Sequence, residues 1–74
     1  MSPKLPRLTA KQLIKKLNDN GYILFEIQGS HHHFIHPQKQ SKVTIPVHAG
    51  KIIGPGLLKA ILRQLKLKPE DLLR

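Results

Sequence analysis

Five histidines stand in this 74-residue chain, and four of them fall within six positions, His31-His32-His33-Phe34-Ile35-His36. Imidazole at such density admits three chemistries. It can ligate a metal, since neutral imidazole is a common ligand. His31 and His33 would then share a strand face, with a third ligand needed from His48 or a distant acid; structural zinc usually wants four ligands, often with Cys, and the chain has none. The residues can also be polar strand positions with no chemistry, a reading that suits His33 and His32. Finally, a neutral imidazole can take the proton from a ribose 2′-hydroxyl, letting that oxygen attack the adjacent phosphate without a metal. Gly29-Ser30, just before His31, would let backbone approach a ligand closely. Lysines such as Lys39, Lys42 and Lys51 would hold phosphate and stabilise charge in the transition state.

The charge fits a polyanionic partner. Thirteen Lys+Arg against four Asp+Glu leave a formal net charge of +9, and so strong a field favours nucleic acid before acidic membrane or protein. Tyr22, Phe25 and Phe34 are the only aromatic side chains, too few for single-strand binding on ranks of exposed rings. No apolar run approaches the roughly 18 residues of a spanning helix. The opening MSPKLPRLT lacks the apolar stretch of a signal peptide, and the absence of cysteine suits a reducing cytoplasm. The expectation is a cytoplasmic protein with no membrane partner.

Positioning the histidines requires a scaffold, and 74 residues allow a single domain, 1–74, with a core over about 8–67. Residues 1–8, with Pro3 and Pro6, read as an extended lead-in, and 68–74 as a tail. Thr9 and Gln12 have capping-box spacing. Behind them Ala10, Leu13, Ile14 and Leu17 share a helical face, and Asn20-Gly21 ends that helix. From Tyr22 to Gln28 the period becomes two, with Ile23, Phe25 and Ile27 on one face and Tyr22, Leu24 and Glu26 on the other. Strands over 31–36 and 42–47 follow, the second with Val43, Ile45 and Val47 on one face, and short links make an antiparallel meander. Pro46, lacking an N–H donor, belongs at a sheet edge or strand end. Pro55 opens a second helix with Leu57, Leu58, Ile61, Leu62 and Leu65 as its stripe, and Pro69 starts a last short turn. The predicted class is α+β, order α-β-β-β-α, with a three-stranded antiparallel sheet and both helices on one face. The predicted core is Leu13, Ile14, Leu17, Ile23, Phe25, Ile27, Phe34, Val43, Ile45, Leu58, Ile61, Leu62 and Leu65. The second sheet face stays open for a ligand or partner.

Several segments together resemble the HicA toxin family, small RNA-cleaving toxins (mRNA interferases) of bacterial toxin–antitoxin pairs. They are Thr9 to Leu17 with Asn20-Gly21-Tyr22, Gly29-Ser30-His31, Phe34, His36-Pro37, Val43-Thr44-Ile45-Pro46, His48 to Gly56 and Leu57 to Leu67. The resemblance covers roughly residues 8–67. It implies a double-stranded-RNA-binding-like fold, metal-independent endonucleolytic cleavage of mRNA with no cofactor, and neutralisation by a HicB antitoxin over the active site. The family's functional histidine follows Gly-Ser and so falls on His31, with His32 as the fallback. On this reading the chain is a type II toxin and endoribonuclease whose RNA contacts include Gly29, Ser30, Lys39, Lys42 and Lys51. The alternative is an RNA-binding module with the same basic face and inert histidines.

Overall fold

A computed structural model describes residues 7–72. Pro3, Lys4, Pro6, Leu73 and Arg74 lie outside the described residues. Helix α1 spans Ala10–Asp19 and begins at a complete capping box. The Gln12 N–H donates to Thr9 Oγ1 at 3.2 Å, and the Thr9 N–H donates to Gln12 Oε1 at 2.9 Å. Two donors that the first turn leaves orphaned are thereby satisfied by side chains one turn apart. Gly21 follows at φ +89°, which turns the chain so that the Tyr22 N–H donates to Leu17 O at 2.9 Å. A Cβ on Gly21 would stand 2.8 Å from His36 Nε2. Glycine is required there both by its backbone angle and by the ring against it.

Three strands follow, β1 (Ile23–Gln28), β2 (His31–His36) and β3 (Ser41–Pro46), in the sheet order β1-β2-β3 with both pairings antiparallel. Gln28 pairs with His31, so Gly29-Ser30 is a two-residue hairpin loop. Gly29 at φ +59°, with Ser30 not at positive φ, has the pattern of a type II′ turn, whose twist matches that of the strands. Helix α2 (Pro55–Leu65) starts with Pro at its first turn and closes through Lys66 at φ +56°, where the Leu67 N–H donates to Leu62 O at 3.0 Å. A 3-10 turn over Pro69–Leu72 ends the described chain.

Both helices and one sheet face share a single core of Leu8, Ala10, Leu13, Leu17, Tyr22, Phe34, Val43, Ile45, Ile53, Leu58, Ile61, Leu62 and Leu65. The expected order α-β-β-β-α is the observed one. Leu8 is held in it by the Ile53 N–H, which donates to Leu8 O at 2.7 Å beside a Thr9–Ile52 bridge. Ile14 packs at its margin.

Strand β1 corrects the predicted core. Ile23, Phe25 and Ile27 are 52%, 51% and 53% exposed, while Tyr22, expected on the other face, is buried. The sheet order places β1 at the edge, and the helices pack mainly on β3. Alternation also fails within the strand. Leu24 pairs with Phe34 but Glu26 with His33, leaving Phe25 as an extra residue in a β-bulge. Ile23 therefore faces the same side as Ile35, whereas Ile27 pairs with His32 and faces the helix side.

Candidate active site

Register sorts the histidines by face. His31, His33 and Ile35 alternate with His32, Phe34 and His36, and Phe34 is buried beneath the helices. The side of His31 is therefore the open face of the sheet.

His36 is a structural residue. Its ring is buried, stands edge-on to Tyr22 with centroids 5.1 Å apart, and accepts the Lys39 N–H on Nδ1 at 3.2 Å. It fastens the turn between β2 and β3. His33 is also engaged. Its Nδ1 lies 2.8 Å from Thr44 Oγ1, its Nε2 is buried without a partner, and the Phe25 ring stands 6.1 Å away. With one nitrogen bonded and the other covered, His33 cannot join His31 as a metal ligand in this arrangement. Among the described residues, no group of three or more His, Cys, Asp or Glu is placed to hold a metal ion.

His31 is exposed, at the first position of the central strand, between Gln28 of β1 and Pro46 of β3. Gly29 and Ser30 form the turn just before it. The Val47 N–H donates to Ser30 O at 2.7 Å, which ties this corner to the end of β3. A Cβ on Gly29 would meet nothing within 4 Å, so the turn's positive φ explains the glycine.

His32 faces the other side and is half-buried, with Nδ1 3.4 Å from Ser30 O. It lines a cleft of about 540 Å³ with Thr9, Lys11, Ile14, His48 and Gly50. Lys11 is a site neighbour that sequence reasoning missed, and His48, weighed there only as a metal ligand, is another. Strand alternation carried past Pro46 would have set His48 on the His31 face; β3 ends at Pro46 and the loop takes His48 to the His32 side instead.

The three lysines separate. Lys51 sits in the loop after β3, its N–H donating to His48 O at 3.1 Å, beside the cleft that His32 and His48 line. Lys42 pairs with Ile35 on the open face, four residues and roughly 13 Å along the strand from His31. Its Nζ stands 6.0 Å from the Phe25 ring centroid. Lys39 lies in the turn beyond His36, at the opposite end of β2 and more than roughly 16 Å from His31 along the strand. The structure thus brings together Gly29, Ser30 and His31, with Lys42 further along the same face. It places the loop that carries Lys51 beside the N-terminus of α1, with His32 and His48, and leaves Lys39 apart.

Among the described residues, no helix is long and apolar enough to cross a membrane. A search of curated proteins finds no match. A scan of family models matches residues 10–67 to the HicA toxin of bacterial toxin–antitoxin pairs. That span runs from the first residue of α1 to beyond the end of α2 and contains every strand and all five histidines. With most of its length matched and the element order expected of the resemblance in place, this chain belongs to the HicA toxin family.

Proposed function

We propose that the chain is the toxin of a type II pair, a metal-independent endoribonuclease that cleaves mRNA in the cytoplasm. His31 is its general base, and a HicB-type antitoxin is its partner. The observation that carries this reading is the exposure of His31 on the open sheet face, at the end of the central strand, directly after a rigid two-residue turn. A ribose can reach such a ring without displacing any core side chain. His31 removes the 2′-hydroxyl proton, and the 2′-oxygen attacks phosphorus. The P–O5′ bond breaks and the leaving oxygen is protonated, giving a 2′,3′-cyclic phosphate and a 5′-hydroxyl end. Lys42 and Lys51 bind the flanking phosphates, while Gly29 and Ser30 set the approach of the strand. Lys39 extends the basic track past the far end of β2 and grips a more distant phosphate.

One observation favours a second assignment of the base. His32 Nδ1 lies 3.4 Å from Ser30 O, an oxygen that can only accept, so the tautomer that suits this contact carries its proton on Nδ1 and turns Nε2 outward as the acceptor. His32 opens on a cleft that also holds Lys11 and His48. On that reading RNA enters between α1 and the loop after β3.

The test is a purified-protein assay on RNA in chelator. Cleavage is expected to persist there and to leave cyclic-phosphate ends. Binding by three lysines is expected to weaken roughly twentyfold for a fourfold rise in salt, the response of a single strand with three phosphates neutralised. Binding without cleavage would leave the RNA-binding module instead. Cleavage abolished by the chelator would mean metal chemistry, and a flat salt response would remove the lysines from the account.

A further inference from the structure

Strand β1 is the least protected apolar surface of the described chain. Ile23, Leu24, Phe25 and Ile27 are each about half exposed, and among the described residues β1 has a hydrogen-bonded neighbour on one side only. Its apolar side chains project to both sides of the sheet, Ile23 with Ile35 on the open face and Leu24 and Ile27 on the other. A ligand lying on one face would leave half of them in water. A strand added along the edge covers flanks on both sides and pairs the free backbone groups as well.

Charge selects the occupant. Residues 17–38, which contain all of β1 and β2, include Asp19 and Glu26 and not one Lys or Arg; all 13 cations lie elsewhere. RNA or an acidic protein finds little to grip there, apart from Lys42, which reaches across from β3 to the Phe25 ring. A second copy of this chain meets its least repulsive surface at that strip. Helix α2 lies off the edge, packing mainly on β3 two strands away, roughly a Debye length at physiological salt. The last turn of α1, which adjoins the start of β1 through the Tyr22 N–H to Leu17 O bond, sets Asp19 against Lys16 there.

We propose that two copies pair through β1, antiparallel about a two-fold axis, to form a continuous six-stranded sheet. An isologous contact of this kind buries Ile23, Leu24, Phe25 and Ile27 of both copies. Glu26 and the bulge at Phe25 are the edge-blunting features that β1 possesses, and neither covers those side chains. The far edge, β3, carries Lys42 and ends at Pro46, which disfavours further addition and closes the assembly at two. His31 stays uncovered on the second strand from the axis, so the pairing does not depend on whether the chain cleaves RNA.

Sedimentation of the full chain across rising concentration reads this directly. The expected mass is twice 8.4 kDa, and dimer formation strengthens with salt as repulsion between the two +9 copies is screened. Combined Ile23→Lys and Ile27→Lys weakens it about 100-fold or more, since each lost anchor is worth about tenfold. Hydrogen exchange on the unmodified chain supplies a second reading, with the amides of 23–28 slowing as concentration rises. A wild-type monomer at every concentration overturns the proposal, as does a dimer that the double variant leaves intact. Protection of β1 that appears only when a HicB-type antitoxin is added would assign the edge to that partner and overturn it equally.

Discussion

His31→Ala is expected to lower RNA cleavage by roughly 10²–10⁴-fold, the usual contribution of a positioned acid–base group, and to leave the fold intact. The reason is where the residue sits. His31 is exposed and has no place among the core side chains, so its removal should cost no more than about 0.5 kcal/mol of stability. Lys42 and Lys51 remain, so RNA affinity should stay close to wild type. Single-turnover cleavage, binding and a thermal melt on the same preparation check all three parts. If cleavage survives in His31→Ala and collapses in His32→Ala, the base is the histidine of the cleft.

Phe34→Ala should act on stability instead. Phe34 sits mid-strand in β2, between Leu24 and Val43, and is 1% exposed beneath the helices. Emptying its site should cost about 3–5 kcal/mol, against a total of roughly 4–11 kcal/mol for a chain of this length. A fall in melting temperature of roughly 12 °C or more is expected, and much of the population can unfold at growth temperature. A melt matching wild type would show that the core is assembled differently.

The helices were legible because their signals are local. Thr9 and Gln12 lie one turn apart, and their capping box depends on nothing distant. Pro55 likewise fixes a helix start through its own φ. The strands were legible as elements, while their faces were not. Placing Ile23, Phe25 and Ile27 in the core assumed unbroken alternation and a covered strand. The first assumption fails at the Phe25 bulge and the second because β1 is the sheet edge. Neither a bulge nor strand order is written in residues 22–28 themselves.

The histidines show the same limit. His31 and His36 are one residue type at the two ends of one strand, and alternation sets them on opposite faces without saying how deeply each is buried. What buries the His36 ring is Gly21 and Tyr22, brought from the end of α1 to enclose it. Lys39 was grouped with Lys42 by proximity in sequence, but the turn over residues 37–40 carries it to the end of β2 away from His31. Proximity in a meander is decided by register: β3 runs antiparallel to β2 and brings Pro46 to His31, and the loop beyond it then carries Lys51 to His48 on the cleft side.

The central claim is that an imidazole at the head of β2 removes a ribose proton, and it is tested most directly on the substrate. Cleavage is measured on an oligonucleotide whose scissile nucleotide lacks its 2′-hydroxyl, beside the all-ribose version. Complete loss of the cut at that position, with binding retained, is the predicted result. A cut of undiminished rate would contradict the account, because no proton would then have been available for His31 to take.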